Sequence, residues 1–154
     1  MLEDPAVQAF TMVPVPVPDG FERTWLERYE EGRADGTREG FAIVDDDGSF
    51  LGLALAFGID REGRELELGY ALTPSARGRG AATWALRELT RWAERELDPL
   101  RIQLQISADN PASKRVAERA GYTFEGTFRS VHFKQGIRQD MEVWSRVAGD
   151  PPVP

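Results

Sequence analysis

The segment of this chain best suited to holding a ligand is a run of glycines and arginines from position 77 to 82. It has the sequence Arg-Gly-Arg-Gly-Ala-Ala and lies between a predicted strand and a predicted helix. Gly78 and Gly80 allow the backbone to approach a ligand closely, and the unpaired N–H groups that begin the helix point at it with the positive end of the helix dipole. Arg77 and Arg79 can add charge-assisted hydrogen bonds. The pattern predicts a site for a phosphate or pyrophosphate, and the alternative is a flexible connecting loop with surface arginines.

Two familiar nucleotide-binding loops do not fit this segment. A P-loop requires Lys and then Ser or Thr after its last glycine, whereas Ala81 and Ala82 stand there. A dinucleotide-binding fingerprint requires a third Gly or Ala at the position that Thr83 occupies.

The composition of the chain excludes several kinds of chemistry. With 154 residues, 41% of them hydrophobic and 29% charged, we expect one soluble globular domain over residues 1–154. The chain contains no Cys and one His, so a disulfide framework, a thiol nucleophile and the usual thiolate or multi-histidine metal motifs are not expected. We therefore predict no metal site.

The charge balance indicates the kind of partner. The formal net charge of -7 argues against nucleic acid, whose binding relies on a cationic surface, and favours a cationic substrate. The longest apolar run, Phe50 to Ile59, contains two glycines and is about half the roughly 20 residues that span a bilayer, so no membrane partner is expected. Because the acidic start Met1 to Asp4 does not resemble a signal peptide, we expect a cytoplasmic protein.

Hydrophobic periodicity predicts an alternation of strands and helices. Residues 1–20 are expected to be a lead-in, and the prolines at alternate positions predict that its end, residues 13–20, is extended and cannot lie inside a sheet. The predicted helices are 21–33, 82–97 and a short one from Pro111 that Gly121 ends. The predicted strands are 41–44, 50–59, 65–72, 102–107, 122–133 and 137–147. The strand-helix-strand unit should have a right-handed, parallel crossover, so we predict an α+β fold in which helices pack on a mixed sheet.

Four features in a fixed order resemble the GNAT acetyltransferase superfamily, and most closely its branch of ribosomal-protein N-terminal acetyltransferases. They are Arg77, Gly80 and Ala82 in the loop, Gly69-Tyr70 before it, Asn110 and Ser113 after the next strand, and Gly121-Tyr122 after the following helix. The resemblance covers roughly residues 41–147. It implies a central, mostly antiparallel sheet in which two neighbouring parallel strands splay apart at their carboxyl ends.

The resemblance also implies a site for acyl-coenzyme A. The pyrophosphate would lie on the backbone N–H groups of the 77–82 loop, with the pantetheine between the two splayed strands. Edge groups around Ala71, Leu72 and Thr73 could hydrogen-bond the pantetheine amides like an added strand, and one of those N–H groups could polarise the thioester carbonyl. Asn110 contacts the pantetheine, caps its helix, or does both.

Two residues are predicted to be catalytic. Transfer to an amine requires a base, and Glu67 matches the Glu that many members of this branch carry just before the Gly-Tyr pair. The alternative is that Glu67 is the polar half of an alternating strand, paired with Arg61 or Arg64. Ser113 matches the position that this branch uses near the sulfur, so we predict thiolate stabilisation or proton donation, the alternative being helix capping alone.

Predictions for the remaining candidate positions follow from their residue types and places in the sequence. Many family members have a Tyr as the acid seven residues after the Asn, but Ala117 stands there. His132 could approach the acceptor or be a half-exposed strand residue, and Asp140 could be a structural or an acceptor-side carboxylate. The four tryptophans are expected to pack the core; they are Trp25, Trp84, Trp92 and Trp144.

One departure from the family concerns the start of the sheet. The chain begins at about the segment 4–7 that follows a first strand and a helix in the family, so we expect that strand to be missing from the sheet. Either the sheet tolerates the loss, a partner chain covers the edge, or the sequence starts late. An uncovered edge strand favours association, which makes a homodimer a possible state.

The resemblance favours an acetyl-CoA-dependent N-acetyltransferase working by direct transfer to a primary amine, such as a protein N-terminus or a small amine. The main alternative is a non-catalytic acyl-CoA-binding module in which Glu67 and Ser113 have structural duties only. A third interpretation is an interaction domain without a ligand.

Overall fold

The computed structural model describes residues 1–154, and its helices and strands follow the predicted alternation. The helices are α1 (Pro5–Phe10), α2 (Phe21–Asp35), α3 (Ala81–Leu97) and α4 (Pro111–Arg119), with a 3₁₀ turn at Pro74–Ala76. The strands are β1 (Arg38–Val44), β2 (Phe50–Asp60), β3 (Glu65–Leu72), β4 (Arg101–Ser107), β5 (Thr123–Lys134) and β6 (Ile137–Val147). The predicted mixed fold of helices packed on a sheet is confirmed.

All six strands belong to one sheet, in the order β1-β2-β3-β4-β6-β5. Neighbouring strands are antiparallel except β3 and β4, which are parallel. The parallel ladder is short and ends at the pair Glu67 and Gln103. Since β3 stays paired with β2 as far as Leu72 and β4 stays paired with β6 as far as Ser107, the two strands diverge beyond that point. This is the predicted splayed pair.

The core lies between the sheet and α3. Apolar residues of α3 recur three or four positions apart and form one buried stripe, which is Ala85, Leu86, Leu89 and Ala93. The stripe belongs to the same buried cluster as Leu66 and Leu68 of β3 and Leu104 of β4. Burying one such leucine contributes roughly 2 kcal/mol, so this contact holds the start of α3 beside the end of β3.

Helix α2 packs on the opposite face of the sheet, against β1. Phe41 contacts Trp92 of α3 edge-to-face, whereas the neighbouring Gly40 faces Tyr29 of α2, and successive strand residues point to opposite faces. A Cβ at Gly32 of α2 would lie 2.6 Å from the Cβ of Arg38, so only glycine allows this close approach.

Residues 5–10, in the lead-in before the prolines, form a helix that the sequence did not predict, α1. The Asp4 side chain accepts a hydrogen bond from the Val7 N–H at 3.0 Å, and Pro5 occupies the first helical position. Val7 is buried. A helix this short shows no hydrophobic period, and its only sequence signal was the Asp-Pro cap.

The prediction that all four tryptophans pack the core holds for two of them. Trp92 and Trp144 contact the core cluster. Trp84 is 56% exposed on the outer side of α3, where it lines a groove of about 290 Å³ with Phe41 and Trp92. Trp25 stacks on Tyr29 of its own helix, with ring centroids 4.4 Å apart. The 3.6-residue period places Trp84 beyond the edge of the buried stripe.

Two further observations bear on the sequence predictions. Strands β1 and β5 are the two edges of the sheet, and no strand pairs with the outer side of β1. None of the helices combines the length and apolar character needed to cross a membrane.

Candidate active site

The loop before α3 has backbone N–H groups without partners and open space beside its glycines. Gly78 and Gly80 have φ of +74° and +85°, a left-handed conformation that glycine adopts without strain, and a Cβ added to either would meet nothing within 4 Å. Gly80 is the N-cap of α3 and supplies no side-chain cap. The first helical bond runs from the Trp84 N–H to the Gly80 carbonyl, so the N–H groups of residues 81–83 have no partner in the helix. The loop can therefore hold an anion.

The two arginines of this loop differ in the contacts that their side chains make. Arg77 donates to the Leu72 carbonyl at 3.0 Å and to both carboxylate oxygens of Asp4, so its guanidinium ties the loop to the end of β3 and to α1. The bond from Arg77 holds the pKa of Asp4 below its usual value. Arg79 is 64% exposed and its nearest acid, Asp45, lies 3.6 Å away. Of the two, Arg79 is the side chain free to turn toward a ligand.

The hydrogen bonds of β3 correct part of the prediction that backbone groups of Ala71, Leu72 and Thr73 face the gap. The Thr73 N–H donates to the Leu51 carbonyl at 2.8 Å, so it points at the β2 side and not at the gap. In an antiparallel ladder the direction alternates, and Ala71, opposite Leu53, therefore also faces β2. Leu72 faces the gap, although its carbonyl already accepts from Arg77. By the same alternation, Leu68, Tyr70 and Leu72 face the β4 side. The last ladder pair, Glu67 with Gln103, uses the Leu68 N–H, so the free groups along the gap belong to Tyr70 and Leu72.

Glu67 lies where the parallel pair begins to splay. Its Oε2 accepts hydrogen bonds from the side-chain amides of Gln105 at 3.0 Å and Gln103 at 3.4 Å. Burial raises the pKa of the Glu67 carboxyl above its usual value, and the side-chain amides and the Gln105 backbone N–H oppose that shift. A carboxylate whose pKa is raised by burial is a stronger base than an exposed one.

The alternative interpretation of Glu67 as half of a surface ion pair is not supported. Arg64 pairs with the carboxylate of Asp98 and with its backbone carbonyl. Neither Arg61 nor any other cation forms a salt bridge with Glu67.

Ser113 stands on the other side of the gap, in the first turn of α4. Asn110 caps this helix, with its Oδ1 accepting from the Ser113 N–H at 3.1 Å and its Nδ2 donating to Ser113 Oγ at 3.0 Å. The phenol of Tyr70 in β3 also donates to Ser113 Oγ, at 3.1 Å. Burial raises the pKa of Tyr70 above its usual value, so the phenol stays protonated.

The sequence did not predict a role for the Tyr70 hydroxyl in the site. Tyr70 was part of the Gly-Tyr motif, and alternation in β3 predicts that it shares a face with Leu68 and Leu72. The partner of its hydroxyl is 43 positions away along the chain, so no local pattern could identify it. Glu67 lies three residues before Tyr70 in the same strand, so its side chain projects to the opposite face of the sheet.

His132 and Asp140 lie in the terminal hairpin. His132 is half-buried and pairs with Gln139 in the β5–β6 ladder, and its imidazole makes no hydrogen bond within the chain. Asp140 accepts from the Ser130 N–H at 2.7 Å, where β5 departs from regular pairing and Ser130 has a φ of +57°. This bond supports the structural interpretation of Asp140.

Comparison with known proteins adds to this geometry. Residues 1–123 match a family model described as an acetyltransferase (GNAT) domain. YdaF of Bacillus subtilis (strain 168), provisionally named a ribosomal N-acetyltransferase, is 31% identical over 99 residues, which are 64% of this chain and 54% of that protein. The ribosomal-protein-serine acetyltransferase of Escherichia coli (strain K12) is 30% identical over 81 residues, 53% of this chain and 45% of the relative. The chain thus spans about half the length of these curated relatives.

A solved structure shares the fold. The ribosomal L7/L12 alpha-N-protein acetyltransferase RimL, in complex with coenzyme A, superimposes with a TM-score of 0.85 at 23% identity. The similarity covers 94% of this chain and 82% of that one.

Proposed function

This chain belongs to the GNAT acetyltransferase family, and on that premise we propose that it transfers an acetyl group from acetyl-CoA to a primary amine by direct transfer in a ternary complex. The observation that carries the proposal is the gap between β3 and β4, which opens beside the uncapped start of α3 and has a carboxylate on one face and a hydroxyl on the other. Open sheets commonly bind ligands at such carboxyl ends.

The residues of the loop fit the phosphates of coenzyme A. The N–H groups of residues 81–83 lack helical partners, and Gly78 and Gly80 leave open space on the outer side of the loop. Arg79 is exposed and able to add charge. We propose that these groups hold the pyrophosphate, that the gap-facing backbone of Tyr70 and Leu72 binds the pantetheine, and that Arg77 braces the loop.

Acetyl-CoA supplies the acetyl group as an activated thioester. Glu67 accepts a proton from the amine nitrogen, directly or through water, as the new C–N bond forms. Its raised pKa makes it a better acceptor than an ordinary exposed glutamate. Ser113 donates a hydrogen bond from Oγ to the sulfur, which takes the electron pair of the breaking C–S bond.

For the acceptor we propose the amine of a protein N-terminus. Both curated relatives are named for acetylation connected with the ribosome or its proteins. The formal net charge of -7 suits a cationic acceptor of any kind, including a polyamine or an aminoglycoside. The names of the relatives give no support to the non-catalytic alternative. The cytoplasmic location, the homodimer and a single domain over residues 1–154 stay predictions.

Turnover with a panel of acceptors tests the activity. Release of free thiol from acetyl-CoA should be fastest with short peptides that have a free N-terminus and slower with spermidine or an aminoglycoside. Peptides blocked at the N-terminus should release no more thiol than buffer. If the full panel releases none, while coenzyme A still raises the Tm, the chain is a binding module and the proposed activity is wrong.

A matched pair of glycine variants tests the cofactor loop. Gly80→Glu should weaken coenzyme A about 100-fold, because a carboxylate would replace the free approach to the N–H groups and repel the phosphates. Gly20→Glu is the control, since Gly20 is also an uncapped N-cap, with φ of +75° and no atom within 4 Å of an added Cβ, but belongs to α2 on the other face. Calorimetry should give the wild-type affinity for Gly20→Glu, and equal affinities for both variants would contradict the loop assignment.

A further inference from the structure

The hydrogen bonds around Ser113 restrict the direction in which its hydroxyl proton can point. A serine hydroxyl has one proton to donate and two lone pairs to accept with. Asn110 Nδ2 and the Tyr70 hydroxyl both approach Ser113 Oγ, at 3.0 Å and 3.1 Å. If both are donors, the two lone pairs are filled and the Ser113 proton has to point elsewhere.

The orientation of Asn110 follows from its role as a helix cap. Its Oδ1 accepts the Ser113 N–H at 3.1 Å, which leaves the amide nitrogen as the atom beside Ser113 Oγ. An amide nitrogen can only donate, so this contact uses one of the two lone pairs.

The orientation of Tyr70 follows from its burial. Its hydroxyl makes one hydrogen bond within the chain, to Ser113 Oγ. If the phenol accepted from Ser113, its own proton would lose its protein partner in a half-buried position, which costs free energy. The phenol is therefore the donor, and it fills the second lone pair.

We propose that Tyr70 and Asn110 are positioning residues that together turn the Ser113 O–H toward the gap between β3 and β4, where it donates to the leaving sulfur. The inference rests on the proposed function, and it assigns Tyr70 a role in transfer. Tyr70 acts through Ser113 and not on the substrates. Without either donor the Ser113 hydroxyl can rotate, and part of its population points away from the gap.

Steady-state kinetics of single and double variants test this role. Tyr70→Phe should lower kcat for acetyl transfer about tenfold, the worth of one oriented hydrogen bond, while the KM for acetyl-CoA stays within about twofold. In a Ser113→Ala background, Tyr70→Phe should have less than about a twofold further effect. A merely structural phenol would lower activity equally in both backgrounds, and that result would overturn the proposal.

Asn110→Asp tests the same point without the risk of losing the fold. Asp caps a helix as well as Asn, so α4 should be retained. The carboxylate cannot donate and would itself accept the Ser113 proton, so kcat should fall at least as far as in Ser113→Ala. A kcat within twofold of the wild type would overturn the proposal. If circular dichroism shows that Tyr70→Phe does not fold, Asn110→Asp decides the question.

Tyr122→Phe is the matched control. Its phenol is also buried and bonded to a hydroxyl, that of Thr90, at 2.8 Å within the core. This variant should lower the Tm and leave kcat unchanged. A loss of kcat equal to that of Tyr70→Phe would mean that a phenol anywhere in the core affects turnover, and it would overturn the specific role of Tyr70.

Binding provides a readout that does not depend on turnover. At about pH 9, where a larger part of a thiol is ionised than at neutral pH, the wild type should bind coenzyme A about threefold to tenfold more tightly than desulfo-coenzyme A. The preference should fall to about one in Tyr70→Phe, Asn110→Asp and Ser113→Ala. A preference unchanged by the first two variants would overturn the inference. A wild type that binds neither compound would instead overturn the proposed function.

Discussion

Two carboxylates contact the same row of β4 side chains and differ in acidity. Glu67 binds the amides of Gln103 and Gln105, where β3 and β4 begin to diverge. Glu125 of β5 binds Arg101 through two bonds of 2.8 Å and 2.6 Å, at the start of the same strand. Ser145 also donates to Glu125, at 2.7 Å.

The difference lies in the partner and in burial. The guanidinium of Arg101 lowers the pKa of Glu125 to about 2, whereas burial without a cation raises the pKa of Glu67. Residues 101, 103 and 105 alternate onto one face of β4, so one row of positions produces an acidic, ion-paired carboxylate at its start and a basic one at the gap. The row contains Arg at the first pair of the β3–β4 ladder and Gln at its last pair and beyond it.

The largest expected effect comes from removing the basic carboxylate. Glu67→Gln should lower kcat/KM by about 100-fold or more, because the amide cannot accept the amine proton. The fold should be as stable at neutral pH or slightly more so, since a raised carboxyl pKa contributes stability below the unfolded-state pKa that is lost as the pH rises through the folded-state value. Kinetics and chemical denaturation measure the two quantities.

The control for this variant is Glu65→Gln, on the same strand and face but exposed. Its activity should stay within about twofold of the wild type. Equal losses in both variants would mean that negative charge on this face, and not a base at Glu67, supports turnover.

A smaller effect on activity is expected from placing a guanidinium beside Glu67, as Arg101 lies beside Glu125. Gln105→Arg places a guanidinium beside Glu67, so the pKa of Glu67 should fall. Activity is lost as the pH falls through the pKa of a base, and this limb of the kcat/KM profile should therefore move to lower pH. The rate on the plateau should fall several-fold because the base is weaker.

Gln105→Met is the matched control, with a side chain of similar length and no charge. Its acid limb should stay in place or move to higher pH. A limb that does not move in Gln105→Arg would show that a group other than Glu67 titrates in the profile.

The smallest effect is expected at the ion pair itself. Arg101→Gln should reduce the free energy of unfolding at pH 7 by less than about 1 kcal/mol, since both side chains are partly exposed. Glu125 has a lowered pKa, so its contribution is present above the usual carboxyl pKa and is lost as the pH falls toward about 2. Urea denaturation of both proteins should give a difference at pH 7 that disappears near pH 2, and a constant difference would contradict the assignment.

Local patterns predicted most of the fold. The bounds of β3 agree with the alternation of Leu66, Leu68 and Leu72, and α3 follows its apolar stripe. The cap at Asn110 was also predicted from residue type and position. Helix α1 was missed because its stability depends on one cap and one buried side chain.

The partners of the site residues were not predictable in the same way. Arg77 was expected to contact a phosphate, but it binds Asp4, which is 73 positions earlier in the chain. Thr73 was expected to present its N–H to the gap, but strand register directs it to Leu51. Both outcomes depend on which elements lie side by side, and residue type alone does not contain that information.

The amino-acid sequence by itself determined where strands, helices and the glycine loop lie, because those features depend on side-chain periodicity and on backbone freedom within a few residues. Only the tertiary structure decided that Glu67 has amides instead of a guanidinium beside it, and that Tyr70 and Asn110 share one hydroxyl. The physical reason is that pKa values and hydrogen-bond directions are set by neighbours across strands, and the register and divergence of β3 and β4 select those neighbours.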